Sequence, residues 1–221
     1  NRIFVPKDSI SPHMFEALVA TEDSRFYDHC GIDGRAVLRA IVKRGFMGQR
    51  SAGGGSTITQ QLAKNAFLSP EQTITRKIKE AILAVEIERK YTKDEILENY
   101  LNTIYFGQGA YGIKNAAIKY FNKQPKQLTI AQAAILASLP KSPTKYSKIE
   151  NALGRERLVL NQMRNYGFIT DEEYNEAINE KIKFVNGNIK SRNEEEQIST
   201  SNVAPEFTTV VLSEVRKILK I

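Results

Sequence analysis

The sequence predicts an all-α domain, and three observations carry that expectation. Helix-start patterns of the Ser/Thr-x-x-Glu/Gln kind recur along the chain, and apolar residues repeat with a 3.6-residue period. The alternating runs that a half-buried strand needs are few. With 221 residues the chain can bury one sizeable core and carry a tail, and no internal repeat divides it.

The first helix is expected to open at Ser11-Pro12, good N-cap and N1 residues, and to bury Phe15, Leu18 and Val19. Glu22 and Asp23 then fall near its C-terminus, where carboxylates oppose the macrodipole. Such a pair is either a solvated accident or a functional placement. Residues Arg35 to Met47 mix apolar and basic side chains. That suits a helix lying in a membrane interface with its cations toward headgroups, or a core helix with snorkelling cations.

Gly53-Gly54-Gly55 frees the backbone ahead of a helix that runs on to Asn65. Thr57, Gln61 and Lys64 stand at i, i+4 and i+7 and share one face, while Ile58 and Leu62 share another. A helix start behind a glycine-rich loop offers unsatisfied N–H groups and a positive dipole end, which suits an anionic ligand, and Lys64 adds a full charge. An ordinary capped helix after a flexible loop fits the same residues. The nucleotide-binding pattern Gly-x-x-x-x-Gly-Lys-Ser/Thr is absent.

Ser69-Pro70-Glu71-Gln72 reads as a capping box with proline at N1 for the strongest helix of the chain. Its buried stripe is expected at Ile74, Ile78, Ala81, Ile82 and Val85. Lys77 and Glu80 sit at the edge of that stripe, either facing a cleft or forming a helical ion pair on a solvated face. Further helices are expected over 93–104 (Thr92 to Glu95 as capping box), 112–121, 130–139, 152–166 and 171–181 (Thr170 to Glu173), with Tyr166-Gly167 as a stop.

The formal charge is +7. No DNA- or RNA-binding motif accompanies it, so nucleic acid is set aside in favour of an anionic membrane surface and pyrophosphate-bearing lipids. Apolar runs fall short of the roughly 18–20 residues that span a bilayer, and no signal peptide is visible. Cys30 is the single cysteine, so no intrachain disulfide forms. His13 and His29 do not make a metal site by themselves; His29 is expected to hold its loop by hydrogen bonds.

Five ordered motifs carry a family resemblance. They are Glu22-Asp23-x-x-Phe26-x-x-His29-x-Gly31, Gly54-x-Ser56-Thr57-x-Thr59-Gln60-Gln61-x-x-Lys64-Asn65 and Arg76-Lys77-x-x-Glu80, followed by two more. Those are Lys93-x-x-Ile96-Leu97-x-x-Tyr100-Leu101-Asn102-x-x-Tyr105-x-Gly107 and Ala137-x-Leu139-Pro140-x-x-Pro143. The chain resembles, over about residues 3–180, the peptidoglycan glycosyltransferases of family 51, the polymerase module of class A penicillin-binding proteins. The resemblance implies a lysozyme-like helical fold with a small membrane-facing hydrophobic lobe, a glycosyltransferase domain over 1–185, and a linker over 186–221. That linker leads toward a transpeptidase domain that the chain lacks. It also implies a bacterial cytoplasmic membrane location with the catalytic domain on the outer face. Members carry an N-terminal anchor, so the chain is read as a soluble domain without it.

By the same resemblance the donor is a glycan on a polyprenyl pyrophosphate and the acceptor is lipid II. Their union is a β-1,4 bond formed with inversion, and moenomycin is an expected inhibitor. Glu22 is the candidate base for the acceptor hydroxyl. Lys64, Arg76 and Lys77 are the cations for the departing pyrophosphate, with Ser56, Thr57, Gln60, Gln61 and Asn65 as polar contacts. Asp23, Phe26 and His29 support the first motif. Glu80 is given a catalytic place, as orienter of Lys77, metal contact or aid to the leaving group. A divalent cation (Mg2+ or Mn2+) is allowed at Glu80 or Asp23, and no organic cofactor is expected.

One position departs from the pattern: members usually carry Arg where Gln72 stands, and Gln cannot supply that charge to a phosphate. Two other readings remain. A lysozyme-like lytic enzyme would use Glu22 as an acid without needing the cation cluster, and a non-catalytic basic module would dock on membranes or partner proteins.

Overall fold

A computed structural model describes residues 3–46, 55–67, 73–142 and 149–185, and all structural statements concern these. The described chain is helical, with a single isolated β-bridge between Tyr105 and Tyr111 as its only strand pairing. The helices are α1 Pro12–Glu22, α2 Gly34–Phe46, α3 Ile58–Phe67, α4 Ile74–Lys90, α5 Lys93–Thr103, α6 Ile113–Phe121, α7 Ile130–Ser138, α8 Ile149–Asn165 and α9 Asp171–Ile178, with short 3-10 turns between some of them.

Local signals account for many of the boundaries. Thr92/Glu95 and Thr170/Glu173 form the expected capping boxes of α5 and α9, and Thr129/Gln132 forms a further one on α7. Gly167, past the end of α8, takes φ +75°, a left-handed conformation that glycine adopts readily. Ser11 occupies the N-cap of α1 but makes no side-chain cap bond; Pro12 at N1 sets the helix start instead.

The core is built around α7. Ala131, Gln132, Ala133, Ala134, Ile135, Leu136, Ala137 and Ser138 are all buried, so this helix is covered on every side. Its alanines let α1 and α8 approach closely, and α1 answers with Ala17 and Ala20 beside Leu18. A second layer packs α3 against α4 and α5. Leu62, Leu83 and Ile87 are fully or almost fully buried, each contributing roughly 1.5–3 kcal/mol.

Helix α4 corrects the expected stripe. Ile74 is 83% exposed and Ile78 57% exposed, and Ala81, Ile82 and Val85 are only half-buried. The buried face is Glu80, Leu83, Ala84 and Ile87, on the opposite side of the helix wheel. The helix carries apolar residues on both sides, so the period was real but the face was ambiguous. The choice was made by what packs there: α3, and the loop at Gly31, where a Cβ would lie 2.7 Å from the Ala84 carbonyl.

Helix α4 is described from Ile74, with Thr73 as its cap through the Arg76 N–H. The Ser69 capping box and Gln72 lie outside the described residues, as do Met47, Gly53, Gly54 and the 186–221 segment. Packing continues to the end of the described chain: Phe184 rests on Phe121, and Val185 N–H donates to the Tyr120 carbonyl.

Candidate active site

The Glu22-Asp23 pair at the end of α1 meets the start of α3. Asp23, the C-cap of α1, turns its carboxylate to His29 Nε2 (3.0 and 3.1 Å) and to the backbone N–H of Ile58 (3.1 Å), the first residue of α3. A carboxylate that opposes the dipole of its own helix therefore sits favourably at the positive end of the next. Further bonds complete that helix start. Thr57 Oγ1 accepts from Gln60 N–H, Gln60 Oε1 accepts from Thr57 N–H, and the Thr57 hydroxyl donates to the Gly31 carbonyl at 2.6 Å.

Protein side chains thus take the Ile58 and Gln60 amides at the start of α3, where the sequence suggested room for an anion. Thr57 and Gln60, assigned as substrate contacts, are buried and engaged in a Thr-x-x-Gln capping box. The spacing was legible, but the contact with Gly31, far away in sequence, was not.

Phe26, Asp23 and His29 form one support. Phe26 is fully buried, edge-on to the His29 ring. Lys93 lies 4.3 Å over the Phe26 ring, donates to the His29 carbonyl (2.6 Å) and pairs with Glu88 (2.7 Å), which in turn accepts from Thr59. Lys93 thus ties α5 to α3, α4 and the first motif, a role that sequence reading missed because His29 and Phe26 are distant in the chain.

Glu22 itself is held by one oxygen. Gln61 Nε2 donates to Glu22 Oε2 at 2.9 Å, and Tyr100 of α5 donates its hydroxyl to Gln61 Oε1 at 3.0 Å. Glu22 Oε1 is buried without a hydrogen-bond partner. Burial pushes the Glu22 carboxyl above its ordinary value of 4.5, while the Gln61 bond and the charges of Lys141 and Arg155 pull it back. Neither cation was singled out in the sequence. Lys141 lies within the fifth motif and Arg155 on α8, and only tertiary packing brings them near Glu22.

Glu80 has the opposite surroundings. It is buried, with Lys77 Nζ 2.5 Å from one oxygen and Arg76 Nε 3.2 Å from the other. Lys77 also donates to Ser56 Oγ at 2.7 Å, which ties α4 to the residues just ahead of α3. Lys64 is exposed and, among the described residues, forms no ion pair; it lies one turn along α3 from Gln61 and on its face. Asn65 is half-buried beside it.

Neither metal candidate forms a cage. Both Asp23 oxygens serve His29, one also serving Ile58 N–H, and both Glu80 oxygens face cations. Among the described residues no three His, Cys, Asp or Glu side chains converge as ligands.

Comparison with known proteins shows the family. The transglycosylase family profile matches residues 1–164. Penicillin-binding protein 1A of Aquifex aeolicus is 50% identical over 184 residues, 82% of this chain and 25% of that protein. Penicillin-binding protein 1A of Escherichia coli is 48% identical over the same share of this chain and 22% of its own. Penicillin-binding protein 1A/1B of Bacillus subtilis is 43% identical over 97% of this chain and 23% of its own. The chain thus spans about a quarter of the length of the curated relatives it matches. The helical architecture of the described residues fits the all-α class expected, and the chain belongs to the transglycosylase family, as a peptidoglycan glycosyltransferase module of the class A penicillin-binding protein type.

Proposed function

We propose that the module polymerises lipid II into β-1,4 glycan strands, with Glu22 as general base. The acceptor's GlcNAc 4-hydroxyl oxygen attacks the anomeric carbon of the donor MurNAc, and its proton passes to Glu22 Oε1. The anomeric C–O bond to the lipid pyrophosphate breaks on the opposite face, its electron pair leaving with the pyrophosphate and the configuration inverting. One observation carries this reading: Glu22 has one oxygen fixed by Gln61 and the other buried and unpartnered. The carboxylate is thereby aimed, with one lone-pair site left for a proton.

The leaving pyrophosphate needs positive charge rather than an acid. Lys64, exposed and without an ion-pair partner among the described residues, is the first contact; Arg76 and Lys77 form a second group, kept in place by Glu80. Moenomycin, a phosphoglycolipid, would compete there. A divalent ion taking part would be held chiefly by substrate phosphates, since Asp23 and Glu80 are already engaged.

The membrane side is read from exposed apolar residues. Val37, Leu38 and Val42 on α2 alternate with exposed Arg35 and Arg39, and Ile74 and Ile78 stand out from α4. Such a surface suits the headgroup boundary of an anionic membrane. Among the described residues no helix is long and apolar enough to cross it. The location that follows is the outer face of the bacterial cytoplasmic membrane, with residues 1–185 as the catalytic unit.

A lytic enzyme would not require Lys64, Arg76 and Lys77 near its carboxylates. Incubation with labelled lipid II separates the readings, since polymer accumulates in one and preformed strands shorten in the other. Glu22→Gln should lower polymerisation by about 10²–10⁴-fold or more. Near-native turnover by a folded Glu22→Gln protein would remove Glu22 as base.

A further inference from the structure

The contact behind Gln61 assigns a role to a residue that the motifs name only as a letter. A glutamine amide between two polar groups can sit in either of two orientations, with NH2 or oxygen toward the carboxylate. The first stabilises an ionised Glu22. The second sets a carbonyl oxygen against it and is compatible only with the protonated acid. Something must choose, and the neighbour on the far side is Tyr100.

We propose that Tyr100 is a positioning residue: by donating its hydroxyl to Gln61 Oε1, it locks the amide with its NH2 toward Glu22 and so holds Glu22 as a proton acceptor. The inference rests on Glu22 being the base.

Three features support it. Tyr100 is 1% exposed and, among the described residues, its OH donates to Gln61 Oε1; with the amide reversed the hydroxyl could accept from the NH2, but its own buried proton would lose its acceptor, which costs free energy. Burial, with the nearby Glu22 charge, raises the phenol well above its usual range, so it stays a donor wherever the enzyme works. The chain Tyr100–Gln61–Glu22 links three helices (α5, α3, α1), so the amide is held from both sides by elements fixed in the core.

The other charged groups acting on Glu22 are Lys141 and Arg155, which favour its ionised form, and Asp23, which opposes it. The two cations act on Glu22 through their charge, from the residues after α7 and from α8. They set a background charge, while the amide orientation is the feature that separates a base from an acid at this position. The same carboxylate, with the amide reversed, would be suited to protonating a glycosidic oxygen as in lysis.

The test is the pH dependence of lipid II polymerisation. Activity requires ionised Glu22, so the rate rises with pH through the Glu22 titration. Tyr100→Phe keeps the ring in the core and removes the donor. Its acid limb should move up by about half to one pH unit, giving a rate roughly three- to tenfold lower below the limb and recovering above it. Moenomycin affinity should be unchanged. Gln61→Ala should shift the limb the same way, and Tyr100→Phe combined with Gln61→Ala should shift it no further than Gln61→Ala alone. A merely structural tyrosine would lower the rate at all pH values and add to the Gln61 change.

A second variant guards against misfolding. 3-Fluorotyrosine at position 100 preserves shape and makes the hydroxyl a stronger donor, so the limb should move to lower pH. An unmoved limb in the folded Phe variant, an additive double variant, or an upward shift with fluorotyrosine each overturns the proposal. If Glu22→Gln is inactive while these limbs stay fixed, Glu22 remains the base and only the Tyr100 role fails. If Glu22→Gln is active, the base assignment itself is lost.

Discussion

Helices α1 and α4 each carry a buried carboxylate, and their partners are opposite in kind. Glu22 faces a neutral amide, feels Lys141 and Arg155 through their charge, and keeps one oxygen unbonded among the described residues. Glu80 is clasped by Lys77 and Arg76. Taking a carboxylate out of water costs free energy, and a close cation returns part of it. Glu22 therefore retains its appetite for a proton, whereas Glu80 spends its charge on fixing two cations. The same residue type is a base on one side and a clamp on the other because of its neighbours alone.

The sharpest way to break this comparison is to neutralise each carboxylate in turn. Glu22→Gln, already expected to abolish turnover, removes a buried charge held by few contacts and should leave the melting temperature unchanged or raised. Glu80→Gln should lower stability by about 2–3 kcal/mol, below the full cost of breaking a buried pair because Lys77 is half exposed. It should also weaken donor binding by freeing Lys77 from its position. Thermal melts beside moenomycin titrations check both. Equal melting shifts for the two variants would erase the distinction.

Lys64 sharpens the comparison from the ligand side. Lys64→Ala should weaken moenomycin binding by about 1.5–3 kcal/mol, the worth of a charge-assisted contact, while the melting temperature holds. Isothermal titration reads the affinity. An unaltered value would leave Arg76 and Lys77 as the phosphate cations.

The smallest effect tests whether burial alone raises a carboxylate. Glu156 on α8 is buried, and burial with the neighbouring Glu180 pushes it up to about 7. The unfolded chain ionises this group from the ordinary 4.5 while the fold keeps the proton until about 7, so stability is lost as pH rises through that window. Glu156→Gln should remove that loss, gaining on the order of 1 kcal/mol over the wild type at pH 8 relative to pH 5. Melts of both proteins at the two pH values measure it, and a difference that stays constant with pH would mean Glu156 titrates normally.

The chain by itself determined its helices and their order, because capping boxes at Thr92 and Thr170 and the stop at Gly167 act within a few residues. It also placed Glu22 and Asp23 at a helix end and Lys77 beside Glu80, both consequences of helical spacing. Tertiary structure decided what those spacings meant. The α4 stripe was readable as a period yet assigned to the wrong face, since apolar residues on two sides do not say which side α3 will cover. Thr57 and Gln60 read as ligand contacts, and the structure engages both at the start of α3 and bonds Thr57 to Gly31. Lys93, Lys141, Arg155 and Tyr100 gained their roles only by meeting partners far away in sequence. Local backbone chemistry is written in adjacent residues, whereas the charge state of a buried carboxylate depends on everything packed around it.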